Sequence, residues 1–336
     1  MRCLASAVAS TRRSIKDGDN DMSDALPLRD SLRFGTMIGL SDREQAIRTI
    51  ESISRWGYEV VWTGDHVAFT GPINDPLLQL VYLSALNPKL IFGTSVYLLP
   101  LRHPTTVAKM VATVDRLLGS GHFIFGVGVG GEFAREYEAC GIPIKERGGR
   151  ATEAIQLIKR LWTEPRVEHH GKYFSFGEIS MQPRPATSGG PPIWVGGRAE
   201  GPLKRAARYG DGWMPYVVTP KRYAEGMDFI GKEAERISRK FTTFGSSIHL
   251  FCTLGASVEA AHEVATEHLS KRYAMDFREP ARRYSALGRP EDVAAKISEF
   301  VKAGARDIGV DSVCHPSDRD AQLEQFAREV IPLLRL

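Results

Sequence analysis

The sequence predicts an α/β fold in which eight strands alternate with helices and close into a (β/α)8 TIM barrel. Short runs rich in β-branched and aromatic residues alternate with segments of helical apolar periodicity from about residue 32 to residue 331. No charge-rich linker divides the 336 residues, and this length fits a barrel that carries insertions. A doubly wound open sheet is the alternative architecture with the same alternation of elements.

The clearest unit of this pattern covers residues 89–131. Residues 89–99 and 122–129 are predicted buried strands, and Pro104 is suited to the first position of the helix between them. That helix carries apolar residues at helical spacing and ends before Gly119. Two buried strands joined by one helix predict a right-handed unit with parallel strands.

The same reasoning places the remaining elements. Strands are predicted at residues 32–38, 58–63, 192–195, 212–216, 248–253 and 307–310, each followed by a helix. Ser41 and Glu44 predict a capping box at the first helix. Residues 132–163 are predicted to be helical with a break near residues 140–143. The proline- and aromatic-rich residues 165–190 are predicted to form a small β-excursion between barrel units.

The N-terminus differs from the rest of the chain. Residues 1–30 are predicted to be a disordered extension, and Met22 is a candidate for the natural start. Residues 31–336 are predicted to form a single barrel domain.

Composition limits the classes of partner. The formal net charge is +4, and basic residues are scattered, so neither nucleic acid nor a membrane surface is an expected partner. No apolar run approaches the roughly 20 residues that span a bilayer. The four cysteines are far apart, and no HxH or HExxH pattern occurs, so no disulfide framework and no metal site is predicted. A cytoplasmic enzyme is expected.

Three stretches at predicted strand ends carry candidate site residues. Residues 126–131 match GxGxxG, but the helical pattern that follows lacks the second strand and acidic residue of a dinucleotide site. We expect these glycines to let a ligand approach the backbone, with a tight turn as the alternative. Gly196, Gly197 and Arg198 precede a helix and are candidates for binding an anion, with a plain turn between strand and helix as the alternative. Asp65 and His66 end the second strand, where an imidazole suits proton transfer or a structural hydrogen bond.

Several motifs together resemble the bacterial luciferase-like flavin and deazaflavin oxidoreductases. The matching segments lie in family order between about residues 33 and 310. They are residues 93–96 (GTSV), 101–104 (LRHP), 108–109 (AK), 126–130 (GVGVG), 192–197 (PIWVGG) and 210–213 (GDGW). Residues 62–67 (WTGDHV) resemble the branch that uses coenzyme F420, a 5-deazaflavin.

The resemblance implies roles for particular residues. His66 would be a proton donor or would stabilise a substrate oxygen, and Asp65 would help to hold it beside the deazaflavin ring. A cis peptide bond between Ser95 and Val96 would form a bulge behind that ring. Residues around the cofactor tail would be Gly128, Val129 and Gly130, and its phosphate would bind at Gly196, Gly197 and Arg198.

The implied activity is hydride transfer between F420 and a small organic molecule, in a homodimer. The glutamate that members acting on alcohols or sugar phosphates carry after the first strand is absent from residues 37–40, and no lysine occurs in residues 214–219. An apolar ketone or enone therefore fits better than a sugar phosphate. The alternatives are an FMN-dependent monooxygenase of the same fold and a non-catalytic F420- or flavin-binding protein.

Overall fold

The structure is a computed structural model and describes residues 26–39, 42–69 and 71–334. Within these ranges, eight parallel strand positions close into a barrel that helices surround, which confirms the predicted fold. The strands are β1 (Arg33–Met37), β2 (Val60–Thr63), β3 (Ile91–Thr94) with its continuation β4 (Tyr97–Leu98), β5 (Phe123–Gly128), β6 (Val167–His170), β7 (Ser175–Ile179), β8 (Ile193–Gly196), β9 (Gly212–Met214), β10 (Gly245–Leu254), β11 (Ala286–Gly288) and β12 (Asp307–Ser312).

The hydrogen-bonded order around the barrel is β1-β2-β3-β5-β8-β9-β10-β12, and β12 pairs with β1. The antiparallel hairpin of β6 and β7 is the predicted excursion, and the short β11 extends the sheet beside β10. The helices are α1 (Arg43–Trp56), α2 (Pro76–Leu86), α3 (Pro104–Leu118), α4 (Ala134–Ala139), α5 (Arg147–Thr163), α6 (Glu200–Tyr209), α7 (Pro220–Arg236), α8 (Val258–Tyr273), α9 (Arg278–Tyr284), α10 (Pro290–Lys302), α11 (Arg319–Gln325) and α12 (Ile331–Leu334).

Three details differ from the sequence-based expectations. The strand predicted at residues 89–99 is divided into β3 and β4 by the cis peptide bond between Ser95 and Val96. Asp42 caps α1 by accepting a hydrogen bond from the Gln45 N–H at 2.8 Å, whereas Ser41 of the predicted capping box lies outside the described residues. The elements β11 and α9 were not predicted, because each is too short to show a periodic pattern.

The predicted N-terminal extension is only partly described. Residues 1–25 lie outside the described residues, but residues 26–30 contact the barrel. Leu26 is buried in the core, and the Pro27 carbonyl accepts a hydrogen bond from the Phe244 N–H at 2.7 Å. Among the described residues, those from Leu26 onward therefore pack as part of the barrel domain.

The barrel interior is filled by a few large side chains that lie against glycines. A β-carbon at Gly93 would lie 2.3 Å from the indole of Trp62. The Trp194 indole would lie 2.6 Å from a β-carbon at Gly212 and 2.2 Å from one at Gly245. Gly212 and Gly245 face each other across the β9–β10 pairing that completes the barrel. Bulky indoles thus occupy the space that neighbouring strands leave open.

No helix within the described ranges is long and apolar enough to cross a membrane.

Candidate active site

The carboxyl ends of the barrel strands bring most of the predicted site residues to one face. His66 follows β2, Ser95 and Val96 lie between β3 and β4, and Gly128 ends β5. Gly196 ends β8 and leads into Gly197 and Arg198. In barrels of this class, the loops at this face form the active site. The sequence analysis therefore placed its candidates on the face where a site is expected.

Val96 lies between β3 and β4, and its side chain approaches glycines at the ends of β5 and β8. The Ser95–Val96 peptide bond is cis, as the resemblance implied. A β-carbon at Gly128 would lie 2.2 Å from Cγ2 of Val96, and a β-carbon at Gly196 would lie 2.7 Å from its Cγ1. These two glycines are thus required by the Val96 side chain itself, which the sequence pattern did not reveal.

His66 is held by a buried carboxylate. Its Nδ1 lies 3.1 Å from Oε2 of Glu136, whose side chain is 1% exposed while that of His66 is 22% exposed. The other carboxylate oxygen of Glu136 accepts hydrogen bonds from the backbone N–H groups of Val67 and Ala68. Glu136 therefore fixes both the imidazole and the start of the loop that follows β2.

Two aromatic rings complete the surroundings of His66. Phe69 stacks on the imidazole with ring centroids 4.3 Å apart, and Phe133 meets it edge-on at 5.6 Å. Phe69 and Phe133 also contact each other at 4.6 Å. The imidazole therefore packs against two aromatic side chains. Its Nδ1 lies beside Glu136, and Nε2 is its second polar atom.

Asp65 does not hold His66, contrary to what we expected from the resemblance. Its carboxylate forms a two-pronged ion pair with Arg102 and accepts a hydrogen bond from the Leu98 N–H at 2.8 Å. Burial opposes the Arg102 charge, but the hydrogen bond and charge of Asp65 raise the pKa of the guanidinium above its ordinary value. Arg102 also lies over the Tyr97 ring at 4.3 Å. Asp65 and Arg102 together fix the backbone just beyond the Ser95–Val96 bulge.

His249 on β10 supports the same bulge from inside the barrel. Its Nδ1 lies 3.1 Å from Oγ of Ser95, and its ring meets Trp62 edge-on at 5.1 Å. Burial lowers the pKa of His249 to about 4, so the imidazole is neutral near pH 7. Its Nε2 has no hydrogen-bond partner among the described residues.

The Arg198 side chain contacts Tyr216, which follows β9, rather than the turn that contains Arg198 itself. The guanidinium lies 5.6 Å from the centroid of the Tyr216 ring, and the Tyr216 hydroxyl donates to Glu132 at 3.3 Å. Burial raises the pKa of Tyr216, and the charge of Glu132 adds to this effect. Gly197, in the left-handed region at φ 110°, forms the turn that precedes α6.

The sequence analysis missed Glu136, Phe69, Phe133 and His249 as site residues. No local signal identifies Glu136, because the pairing with His66 spans 70 residues. Arg102 lies in the quoted LRHP segment, so a signal existed for it but no role was assigned. Among the described residues, no group of three or more His, Cys, Asp or Glu side chains could hold a metal ion.

Comparisons with known proteins identify the family of the chain. Residues 31–307 match the family model described as luciferase-like monooxygenase. The chain is 28% identical over 317 residues to an F420-dependent glucose-6-phosphate dehydrogenase of Kineococcus radiotolerans, covering 83% of this chain and 89% of that protein. It is 30% identical over 228 residues to an F420-dependent hydroxymycolic acid dehydrogenase of Mycobacterium tuberculosis, covering 65% and 61% of the two chains.

The fold has close counterparts among solved structures. The coenzyme F420-dependent tetrahydromethanopterin reductase from Methanopyrus kandleri superposes with a TM-score of 0.74 at 20% identity, covering 90% of this chain and 99% of that one. The family match confirms the resemblance read from the motifs and spans most of the chain. The protein therefore belongs to the luciferase-like monooxygenase family.

Proposed function

We propose that this protein is an F420-dependent oxidoreductase that transfers hydride between the deazaflavin and a small organic substrate. The observation that carries the proposal is the His66–Glu136 pair, which lies on the same face as the Ser95–Val96 bulge. The sequence relatives named as F420-dependent dehydrogenases support the choice of cofactor. A homodimer is part of the same proposal.

The residues present fit a deazaflavin. The Val96 side chain offers an apolar surface against which a planar ring can pack, and it is held in place by Gly128 and Gly196. The backbone at Val129 and Gly130 would follow the cofactor tail, and Gly197 and Arg198 would lie at its phosphate. The cofactor supplies the hydride chemistry when it is bound.

The protein's own part is orientation and proton handling. Glu136 accepts a hydrogen bond from Nδ1 of His66, which leaves Nε2 for the substrate. Nε2 accepts the proton of a substrate hydroxyl when the imidazole is neutral, and it gives a proton to a substrate oxygen when both ring nitrogens are protonated. Phe69 and Phe133 exclude water from one side of the imidazole, which strengthens that interaction. Asp65 supports the site indirectly, because its side chain contacts Arg102 and Leu98 rather than His66.

The substrate we propose is an apolar ketone, enone or similar hydride acceptor. The described residues Met37, Ile38 and Gly39 after β1 include no acid, and residues 214–219 after β9 include no lysine. The wall formed by Phe69 and Phe133 favours an apolar partner. These residues therefore favour an apolar substrate over a sugar phosphate, although three relatives are named F420-dependent glucose-6-phosphate dehydrogenase.

An FMN-dependent monooxygenase is the second candidate, because the matching family model is described as a monooxygenase. Fluorescence titration of the apoprotein with F420 and with FMN separates the two. Micromolar or tighter F420 binding with weak FMN binding supports the proposal. The opposite preference, accompanied by oxygen uptake with reduced FMN, contradicts it.

The role of His66 is tested with His66→Ala and the matched control His170→Ala, a change in the exposed part of the hairpin. We expect His66→Ala to bind F420 normally and to slow hydride transfer by about 100- to 10,000-fold, the usual range for loss of a general acid or base. Unchanged transfer would indicate either a different proton donor or a protein that binds the cofactor without turnover.

A further inference from the structure

Two adjacent side chains anchor the short helix α4 to the barrel. Glu136 contacts the imidazole of His66 and accepts hydrogen bonds from two backbone N–H groups of the loop after β2. The hydroxyl of Tyr137, the next residue, donates to the Val129 carbonyl just beyond the end of β5. The helix α4 therefore joins the loop that carries His66 to the glycine turn after β5.

The Tyr137 side chain is buried in the apolar cluster that also supports the bulge. It is 1% exposed and belongs to the same cluster as Leu98, against which Val96 packs. Burial raises the pKa of the Tyr137 phenol, so the hydroxyl keeps its proton near neutral pH and can donate. Leu98 in turn lies against the glycine turn, since its Cδ2 would be 2.9 Å from a β-carbon at Gly130.

The peptide group between Val129 and Gly130 connects Tyr137 with the ligand side of the turn. This peptide bond is trans, so its carbonyl and its N–H point in opposite directions. Because the carbonyl faces the Tyr137 hydroxyl, the Gly130 N–H points away from it, and this N–H donates no hydrogen bond within the described ranges. A ligand acceptor at this N–H polarises the peptide group and makes the carbonyl a stronger acceptor.

The helix α4 depends on its anchors because it has little stability of its own. It spans six residues, Ala134–Ala139, whereas an isolated helix needs roughly 12–15 residues to be even marginally stable. No side chain caps its N-terminus at Phe133. Elements held by few contacts open locally, so strengthening one anchor of α4 also increases the fraction of time for which the other is formed.

We propose that α4 couples cofactor binding to the position of His66, with Tyr137 as the positioning residue. A cofactor acceptor at the Gly130 N–H strengthens the hydrogen bond from Tyr137 to Val129. That hydrogen bond stabilises α4 and, with it, the contacts of Glu136 to the loop after β2. The imidazole is therefore held most firmly when the cofactor is bound. This inference rests on the proposed cofactor-binding function and assigns a role to a residue that need not touch the ligand.

The test measures hydrogen–deuterium exchange by mass spectrometry with and without saturating F420. The reporter amides are those of Val67 and Ala68, which donate to Glu136. We expect F420 to slow their exchange in the wild type by about 5- to 150-fold, the range of typical coupling free energies. The control amides lie in the β6–β7 hairpin, where Glu153 on α5 likewise accepts from backbone N–H groups, and their exchange should not respond.

Tyr137→Phe removes only the hydroxyl. We expect it to weaken F420 binding by about 3- to 10-fold, the effect of losing one neutral hydrogen bond. At saturating F420 the cofactor should slow the exchange of the reporter amides by less than about twofold. Tyr58→Phe is the matched control, because the Tyr58 hydroxyl is also buried and donates to a backbone carbonyl, that of Leu323, at 2.9 Å. In Tyr58→Phe the effect of F420 on the reporter amides should equal that in the wild type.

Two results would overturn the proposal. One is an equal effect of F420 on the reporter amides in the wild type and in Tyr137→Phe, which a purely structural role predicts, and the other is no effect in the wild type. If Tyr137→Phe fails to fold, the coupling is measured from the other end, because linkage is reciprocal. Glu136→Gln should then weaken F420 binding by about threefold or more, and unchanged binding would overturn the inference.

These measurements need no turnover, so they can fail separately from the proposed function. A protein that prefers FMN contradicts the proposed deazaflavin activity, and the same exchange comparison with FMN then decides whether α4 couples the two parts of the site. Normal hydride transfer without cofactor-dependent exchange supports the proposed function and overturns the coupling.

Discussion

Nδ1 of His66 lies 3.1 Å from the carboxylate of Glu136, which also binds two backbone N–H groups of the loop after β2. One buried acid on α4 thus fixes the position of both the imidazole and the loop that carries it. Such a partner fixes the tautomer and orientation of a histidine.

We expect Glu136→Gln to slow hydride transfer by about 10- to 100-fold, because an amide cannot provide the charged acceptor. Single-turnover rates of Glu136→Gln, His66→Ala and the double variant form the measurement. If Glu136 acts through His66, the double variant should transfer hydride about as slowly as His66→Ala alone. Additive losses would contradict that relationship. Glu138→Gln, an exposed change on the same helix, is the control.

We expect Asp65→Ala to lower the free energy of unfolding by about 3 kcal/mol, because it leaves the partly buried Arg102 only the more exposed Asp75, 3.8 Å away, as a counter-charge. Urea unfolding at pH 7 measures this change. The exposed pair of Arg166 and Glu178 is the reference, and Arg166→Ala should cost less than about 1 kcal/mol. A similar cost for both pairs would show that the Asp65 pair contributes no more than a surface contact.

Gly128→Ala places a β-carbon 2.2 Å from Cγ2 of Val96. We expect it to cost about 1–3 kcal/mol of stability through overpacking and to weaken cofactor binding by displacing the bulge. Val96→Ala in the same chain should restore part of both losses, because it removes the clashing methyl groups. Gly177→Ala meets nothing within 4 Å and serves as the control. If Val96→Ala restores neither stability nor cofactor binding, the contact between residue 128 and Val96 is not the cause of the losses in Gly128→Ala.

The lowered pKa of the buried His249 predicts that the protein loses stability in acid. The folded pKa of about 4 lies below the ordinary value of 6.5, so the unfolded chain binds the proton more tightly between these values. Stability from this residue is therefore present above about pH 6.5 and declines as the pH falls toward 4. Between pH 7 and 4.5 the loss should be about 2–3 kcal/mol. Urea unfolding of the wild type and of His249→Asn at both pH values measures it, and an identical pH dependence would refute the assignment.

The barrel could be predicted from the sequence because its signals are local. The alternation of residues 89–131 is repeated around the chain, and each repeat is a unit that the structure reproduces. The glycines at 128 and 196 were predicted to let a ligand approach the backbone, and the structure shows in addition that the Val96 side chain approaches both. That cause lies on another strand, which a linear pattern does not show.

The candidate site was predicted in part for the same reason. His66 could be proposed as a site residue because it lies three residues beyond the end of β2 within the WTGDHV segment, whereas Glu136 lies in a short helix with no distinctive spacing. Pairings between distant segments depend on the closed barrel and are not encoded in any one stretch.

The size of the Trp194 side chain limits which residues the neighbouring strands can carry. Its indole lies against both Gly212 and Gly245, the two residues that meet where β9 joins β10. A side chain at Gly245 therefore requires a smaller residue at position 194, so these two positions are constrained to change together. At Gly212 a β-carbon would also lie 2.7 Å from the Gly245 carbonyl oxygen, so a smaller residue 194 alone would not admit it. The circumference of the barrel on this side depends on the dimensions of one side chain as well as on the strand pairing.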